Sequence, residues 1–206
     1  MNVKLFIVIS SIVLFQVGCG IQNTEELPDT VAFQDEFTRE FLKSSGEVEE
    51  GFYGFESATK GYTMFFPKNA KIEGESYERN KDGFESVSFL ENGDTNLTTF
   101  YKVIYEERDR TNNIELQKEL LSSYVSFDGE YTKFLRNNKK YYYGETVYEF
   151  TENKSFVYFV YVKGSNNDKG ASFIAVVSCR DKEKQCEANS KEVKDHIEKV
   201  MYSIEL

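Results

Sequence analysis

The chain has 206 residues, with 35 Asp and Glu against 25 Lys and Arg, and a formal net charge of −10. So acidic a balance argues against nucleic acid as a partner, since phosphate binding needs clustered Lys and Arg, and against electrostatic adhesion to an anionic membrane surface. The length suits one domain with a real core, and 14 Tyr and 18 Phe with no Trp make it aromatic-rich.

The first residues have the order of a secretory leader. Met1 and Lys4 supply a positive start, Leu5–Val17 is an apolar run broken only by Ser10, Ser11 and Gln16, and Gly18-Cys19-Gly20 closes it. The run is well short of the roughly 20 apolar residues a membrane-spanning helix needs, and it fits a signal-peptide core. Gln16-Val17-Gly18-Cys19 resembles the lipobox of bacterial lipoprotein precursors, with Gln16 where an aliphatic residue is usual. The resemblance implies cleavage between Gly18 and Cys19, S-diacylglycerol on Cys19, and an N-palmitoyl chain on its new amino group. Two or three acyl chains anchor a protein stably where one holds marginally. The expected plan is a leader over 1–18, a lipidated tether over 19–29 containing Pro28, and a single α+β domain over 30–206. It would sit on the cell membrane, facing outside the cytoplasm. Loss of the leader removes one lysine and no acid, so the mature chain is one charge more negative.

Past the tether, Val31, Phe33, Phe37, Phe41 and Leu42 fall at helical spacing and predict one amphipathic helix over Thr30–Ser44. From Gly51 the period changes to two. Phe52–Phe55, Tyr62–Phe66, Lys71–Tyr77, Phe84–Leu90 and Leu97–Glu106 read as strands, with Lys81-Asp82-Gly83 and Asn92-Gly93-Asp94 as turns. Asn112–Val125 reads as a second helix, with Ile114, Leu116, Leu120, Leu121 and Tyr124 near one face. Lys140–Glu152, Phe156–Lys163 and Ala171–Cys179 are three long strands, joined at Asn153-Lys154 and across 165–170, and Glu130–Leu135 is a shorter candidate. A last helix over Asn189–Ser203 carries the stripe Val193, Ile197, Val200, Met201 and Ile204. Hairpin-connected strands between helices predict an α+β fold, an antiparallel β-sheet with helices packed on one face.

Gly61-Tyr62-Thr63-Met64-Phe65-Phe66-Pro67 resembles an early strand of PsbP/Mog1-like domains. The middle helix followed by three strands, and the last helix ending in Ser203-Ile204, are similar too. The resemblance covers about residues 55–206 and implies a PsbP/Mog1-like sandwich, accessory or binding roles, and no catalytic residues to transfer. The helix over Thr30–Ser44 is an addition to that fold.

Candidate chemistry is sparse. With Cys19 assigned to lipid, Cys179 and Cys186 form an even pair flanking a polar loop in an exported chain. A structural disulfide suits them; free thiols, redox or metal chemistry are the alternatives, although redox pairs favour Cys-x-x-Cys. His196 is the only histidine, and its place on the last helix suits a surface residue better than a triad member. Asp94 and Asp168 lie in turns without EF-hand spacing. No nucleophile elbow, Walker A, dinucleotide fingerprint or zincin motif occurs. Tyr141-Tyr142-Tyr143, Phe156, Tyr158, Phe159 and Tyr161 either fill the core or present a tyrosine face to a partner. The sequence therefore predicts a non-enzymatic, membrane-anchored binding or accessory lipoprotein with a protein or cell-envelope partner, no cofactor and no metal. The alternative is an envelope hydrolase with an unrecognised site.

Overall fold

The computed structural model describes residues 27–93, 96–150, 153–165, 167–181 and 186–206. The leader, Gly18 and Cys19, most of the tether, and Asp94 lie outside them.

Two one-turn helices open the fold, α1 (Val31–Gln34) and α2 (Glu36–Arg39). The single helix expected over Thr30–Ser44 is not formed. Asp35 is extended and caps α2, its Oδ1 accepting the Thr38 N–H at 2.8 Å and the Thr38 hydroxyl at 2.7 Å. Capping satisfies an otherwise orphaned helical N–H, so a capping residue in mid-run divides the helix. Burial opposes ionisation of Asp35, but the two Thr38 bonds and the Lys71 ammonium outweigh it and hold its carboxyl below the usual range. From Leu42 the chain is already a strand.

Strands β1 (Leu42–Glu49), β2 (Phe52–Glu56) and β3 (Thr63–Pro67) form a three-stranded antiparallel sheet in that order. Strands β4 (Ala70–Ile72), β5 (Glu78–Arg79), β6 (Phe84–Asn92), β7 (Leu97–Glu107), β8 (Thr132–Arg136), β9 (Lys139–Phe150), β10 (Asn153–Gly164) and β11 (Lys169–Cys179) form a larger one. Its order is β4-β6-β7-β11-β10-β9-β8, with β5 also paired to β6 and every pairing antiparallel. The strand expected over Lys71–Tyr77 stops at Ile72, where Gly74–Ser76 turns into a 3₁₀ helix. Asn153 and Lys154, expected in a turn, pair with Phe150 and Glu149 inside the ladder.

Helices α3 (Ile114–Tyr124) and α4 (Lys191–Tyr202) lie on opposite faces of the large sheet, not on one. Strand parity decides this. In β10, Val157, Phe159 and Tyr161 pack under α3, whereas Tyr158, Val160 and Val162 face α4 and the small sheet. The chain crosses from β7 through α3 to β8 at the far edge, then returns by hairpins until β11 docks beside β7.

The larger core contains a column of rings from Phe41 through Phe55, Phe66, Phe89 and Tyr101 to Phe173, with centroids 4.6–6.0 Å apart. Offset and edge contacts between rings add to the burial of their area. Helix α4 adds Ile197, Val200 and Met201, all fully buried, each worth about 1.5–3 kcal/mol in apolar burial. Its end is sewn to β3. The Phe65 N–H donates to the Ser203 hydroxyl at 2.8 Å, and Thr63 and Glu205 exchange backbone bonds of 2.9 and 3.0 Å.

Two further devices hold the elements in place. Glu85 of β6 is fully buried. It accepts the N–H groups of Ala58 (3.1 Å) and Thr59 (3.0 Å), the Thr59 hydroxyl (2.9 Å) and the Tyr77 hydroxyl (3.4 Å). It thereby pins the β2–β3 turn to the large sheet. On the α3 side, the Phe159 ring covers Gly144, its cross-strand partner.

Cys179 and Cys186 form a disulfide with Cα atoms 5.9 Å apart, tying the end of β11 to the approach to α4. Closing so short a loop contributes about 2–3 kcal/mol in the chain-entropy account. Replacing both cysteines by Ala should lower stability by that amount in urea unfolding, and peptide mapping of the exported chain without reductant should recover the two as one linked peptide. Quantitative alkylation of both thiols would overturn this.

Candidate ligand groove

Helix α3 crosses the sheet over β10 and leaves the β6–β7 part of the same face uncovered. The result is a groove of about 320 Å³ between α3 and the sheet, at the small end of the range for ligand pockets. Its floor comes from alternate residues of three strands: Phe84 and Ser86 of β6, Lys102 and Ile104 of β7, Ser172 and Ile174 of β11. The short serines make it deep. Asn113 fixes the start of α3 by accepting the Leu116 N–H at 3.2 Å. That phase buries Leu121 and Gln117, and leaves Leu120 and Tyr124 about half exposed at the rim.

Most polar groups at the inner end are occupied with each other. Glu106, nearly buried, holds Arg110 in a two-pronged ion pair, which raises the guanidinium's affinity for its proton. Gln117 donates to the Arg110 carbonyl at 3.2 Å, and the Tyr161 hydroxyl donates to the Thr111 carbonyl at 2.9 Å. Burial first, and the Glu106 charge second, push the Tyr161 phenol well above its ordinary pKa. Lys102 differs: its ammonium lies 5.6 Å from the Tyr124 ring centre, and no carboxylate pairs with it among the described residues.

His196 is more engaged than a surface histidine. Its Nε2 is 3.0 Å from both oxygens of Glu91, which also accepts the Tyr101 hydroxyl at 2.8 Å, and its ring packs on Phe52 at 4.9 Å. This clamps α4 to β6 and β2. The neighbouring cavity, about 270 Å³, contributes Thr99, Glu91 and Glu192 as its other polar side chains.

Asp168 ties the β10–β11 turn to the segment that leads into α3: its carbonyl accepts from the Arg108 N–H and the Thr111 hydroxyl, and its carboxylate from Asn112. Among the described residues no group of three or more His, Cys, Asp or Glu is gathered as a metal site. No helix among them is long and apolar enough to cross a membrane. The aromatic strands fill the core. Tyr141, Tyr142, Tyr158, Phe159 and Tyr161 are buried, and Tyr143 and Phe156 are partly buried against the larger core.

Sequence reasoning missed the groove because its parts lie on β6, β7, α3 and β11. The available signal was the exposed pair Leu120 and Tyr124 beside the buried Leu121, a stripe wider than one contact needs.

Two likenesses to known proteins bear on identity. Residues 28–205 match the family described as "Putative lipoprotein YvcA". The protein of that name from Bacillus subtilis (strain 168) is 29% identical over 190 residues, covering 88% of this chain and 79% of the relative. A 1.50 Å crystal structure from Bacteroides thetaiotaomicron VPI-5482 overlaps 74% of this chain and 47% of its own, at 10% identity and a TM-score of 0.45, so this chain spans about half of that structure. With nearly the whole described body matched, the chain belongs to the YvcA lipoprotein family.

Proposed function

We propose that the protein is a lipid-anchored extracytoplasmic lipoprotein whose PsbP/Mog1-like body serves as a non-enzymatic binding or accessory module. The observation that carries the reading is a conjunction: family membership over 28–205 joined to Gly18-Cys19 at the end of a leader-like apolar run. Support for the sandwich is the antiparallel sheet with α3 and α4 on its two faces. Binding is favoured over catalysis because Glu106, Arg110, Gln117 and Tyr161 are spent on one another and on backbone around the groove. The partner is an envelope component or a protein, not nucleic acid. Cys19→Ala tests the anchor. Nearly all of the variant should leave the membrane fraction and lose incorporation of labelled palmitate. Retention of the label and of the membrane position would overturn the anchor.

A further inference from the structure

The groove does not end at β6. Glu78, Phe84 and Arg110 also border a second cleft of about 610 Å³, completed by Tyr77, Arg79, Asn80 and Arg108. The chain has six arginines, and three of them meet in this cleft. Arg110 is committed to Glu106. Arg79 gives an N–H to the Ala58 carbonyl at 3.2 Å, and neither Arg79 nor Arg108 has a carboxylate partner among the described residues. With Lys102, which faces the Tyr124 ring under α3, three cations without a carboxylate partner among the described residues line two adjoining cavities in a chain of net charge −10. Against them stands Glu78, exposed on the shared wall.

Two chemistries thus adjoin. Arginine forks match the oxygens of phosphate and carboxylate, and the groove next door is lined by Phe84, Ile104, Leu120 and Leu121. We propose that the two adjoining cavities bind a single-chain anionic amphiphile across their common border at Glu78, Phe84 and Arg110, its phosphate or carboxylate head against Arg79 and Arg108 and its apolar tail under α3. The groove's volume, about 320 Å³, suits one short tail, not the two chains of a bilayer lipid. This rests on the binding-module reading and names its ligand class.

The test titrates the full chain bearing Cys19→Ala, recovered without its acyl groups, with decyl phosphate, decanol and inorganic phosphate by calorimetry, all below micelle-forming concentrations. Should Cys19 prove dispensable for anchoring, the wild-type chain takes its place, so failure of the anchor does not decide this result. Decyl phosphate should bind at one site at least about tenfold tighter than either other probe, as expected for a charge-assisted contact added to apolar burial. Arg79→Gln with Arg108→Gln should weaken decyl phosphate about tenfold and leave decanol unchanged, and Leu120→Asp should weaken both. Each variant's urea midpoint is compared with the parent to verify folding. Equal affinity for decyl phosphate and inorganic phosphate, equal affinity for decyl phosphate and decanol, or indifference of decyl phosphate to the substitutions would each overturn the proposal. So would the absence of saturable binding.

Discussion

Glu85→Ala is expected to lower the free energy of unfolding by about 4 kcal/mol, a large share of the roughly 5–15 kcal/mol that holds a domain folded. The loss has a definite origin. The carboxylate is fully buried and accepts two backbone N–H groups, a threonine hydroxyl and a tyrosine hydroxyl. Alanine leaves all four donors without their acceptor, each at a cost of about 1–3 kcal/mol unless water enters. Glu85→Gln keeps the shape but offers one acceptor oxygen, and turns an amide donor toward backbone donors. It should lie between, near 2 kcal/mol. Urea unfolding of the two variants measures both values. A loss below about 1 kcal/mol for Glu85→Ala would mean that the β2–β3 turn is held by its other contacts.

Gly144→Ala should cost about 3 kcal/mol, at the upper end for overpacking. A Cβ at this position would lie 2.5 Å from two ring carbons of Phe159. That ring is fully buried and meets Phe127 and Tyr131 edge-on, with centroids 4.9 and 5.7 Å away. It cannot yield without disturbing the cluster beneath α3. A double-mutant cycle isolates the cause. With Phe159→Ala already in place, adding Gly144→Ala should cost under about 0.5 kcal/mol, because the clash has gone. An undiminished cost in that background would assign the effect to the strand backbone instead of to the ring.

The strands were legible because each buries one face in register with its neighbours. The run read as Leu97–Glu106 extends one residue further, to Glu107, and the stripe of the last helix buries Ile197, Val200, Met201 and Ile204. Thr30–Ser44 was misread because Phe33, Phe37 and Phe41 satisfy helical spacing whether one helix or two single turns carry them. What decides is Asp35, whose carboxylate finds the Thr38 N–H. The placement of α3 and α4 on opposite faces was also hidden. Each helix shows only its own stripe, and the face it meets depends on the parity of β10 and β11. The cleft was least legible of all. Arg79 lies about thirty residues from Arg108 and Arg110 in the chain, and the antiparallel β5–β6 and β6–β7 pairings bring their segments together. The partnership of His196 with Glu91 likewise spans 105 residues.

Because the large sheet divides the core, the wall of the groove is mechanically separate from the ring column on the far side of the sheet. The cluster on the α3 side contains Leu121, Val125 and a few strand residues, whereas the ring column and α4 lie beyond the sheet. Segments with little buried apolar contact open at free energies well below that of global unfolding. An excursion of α3 exposes only the lesser cluster and breaks nothing across the partition. The floor stays fixed by strand ladders on either side of β7 and β11. Widening this groove therefore costs the breathing of one helix and leaves the stability of the rest of the fold intact.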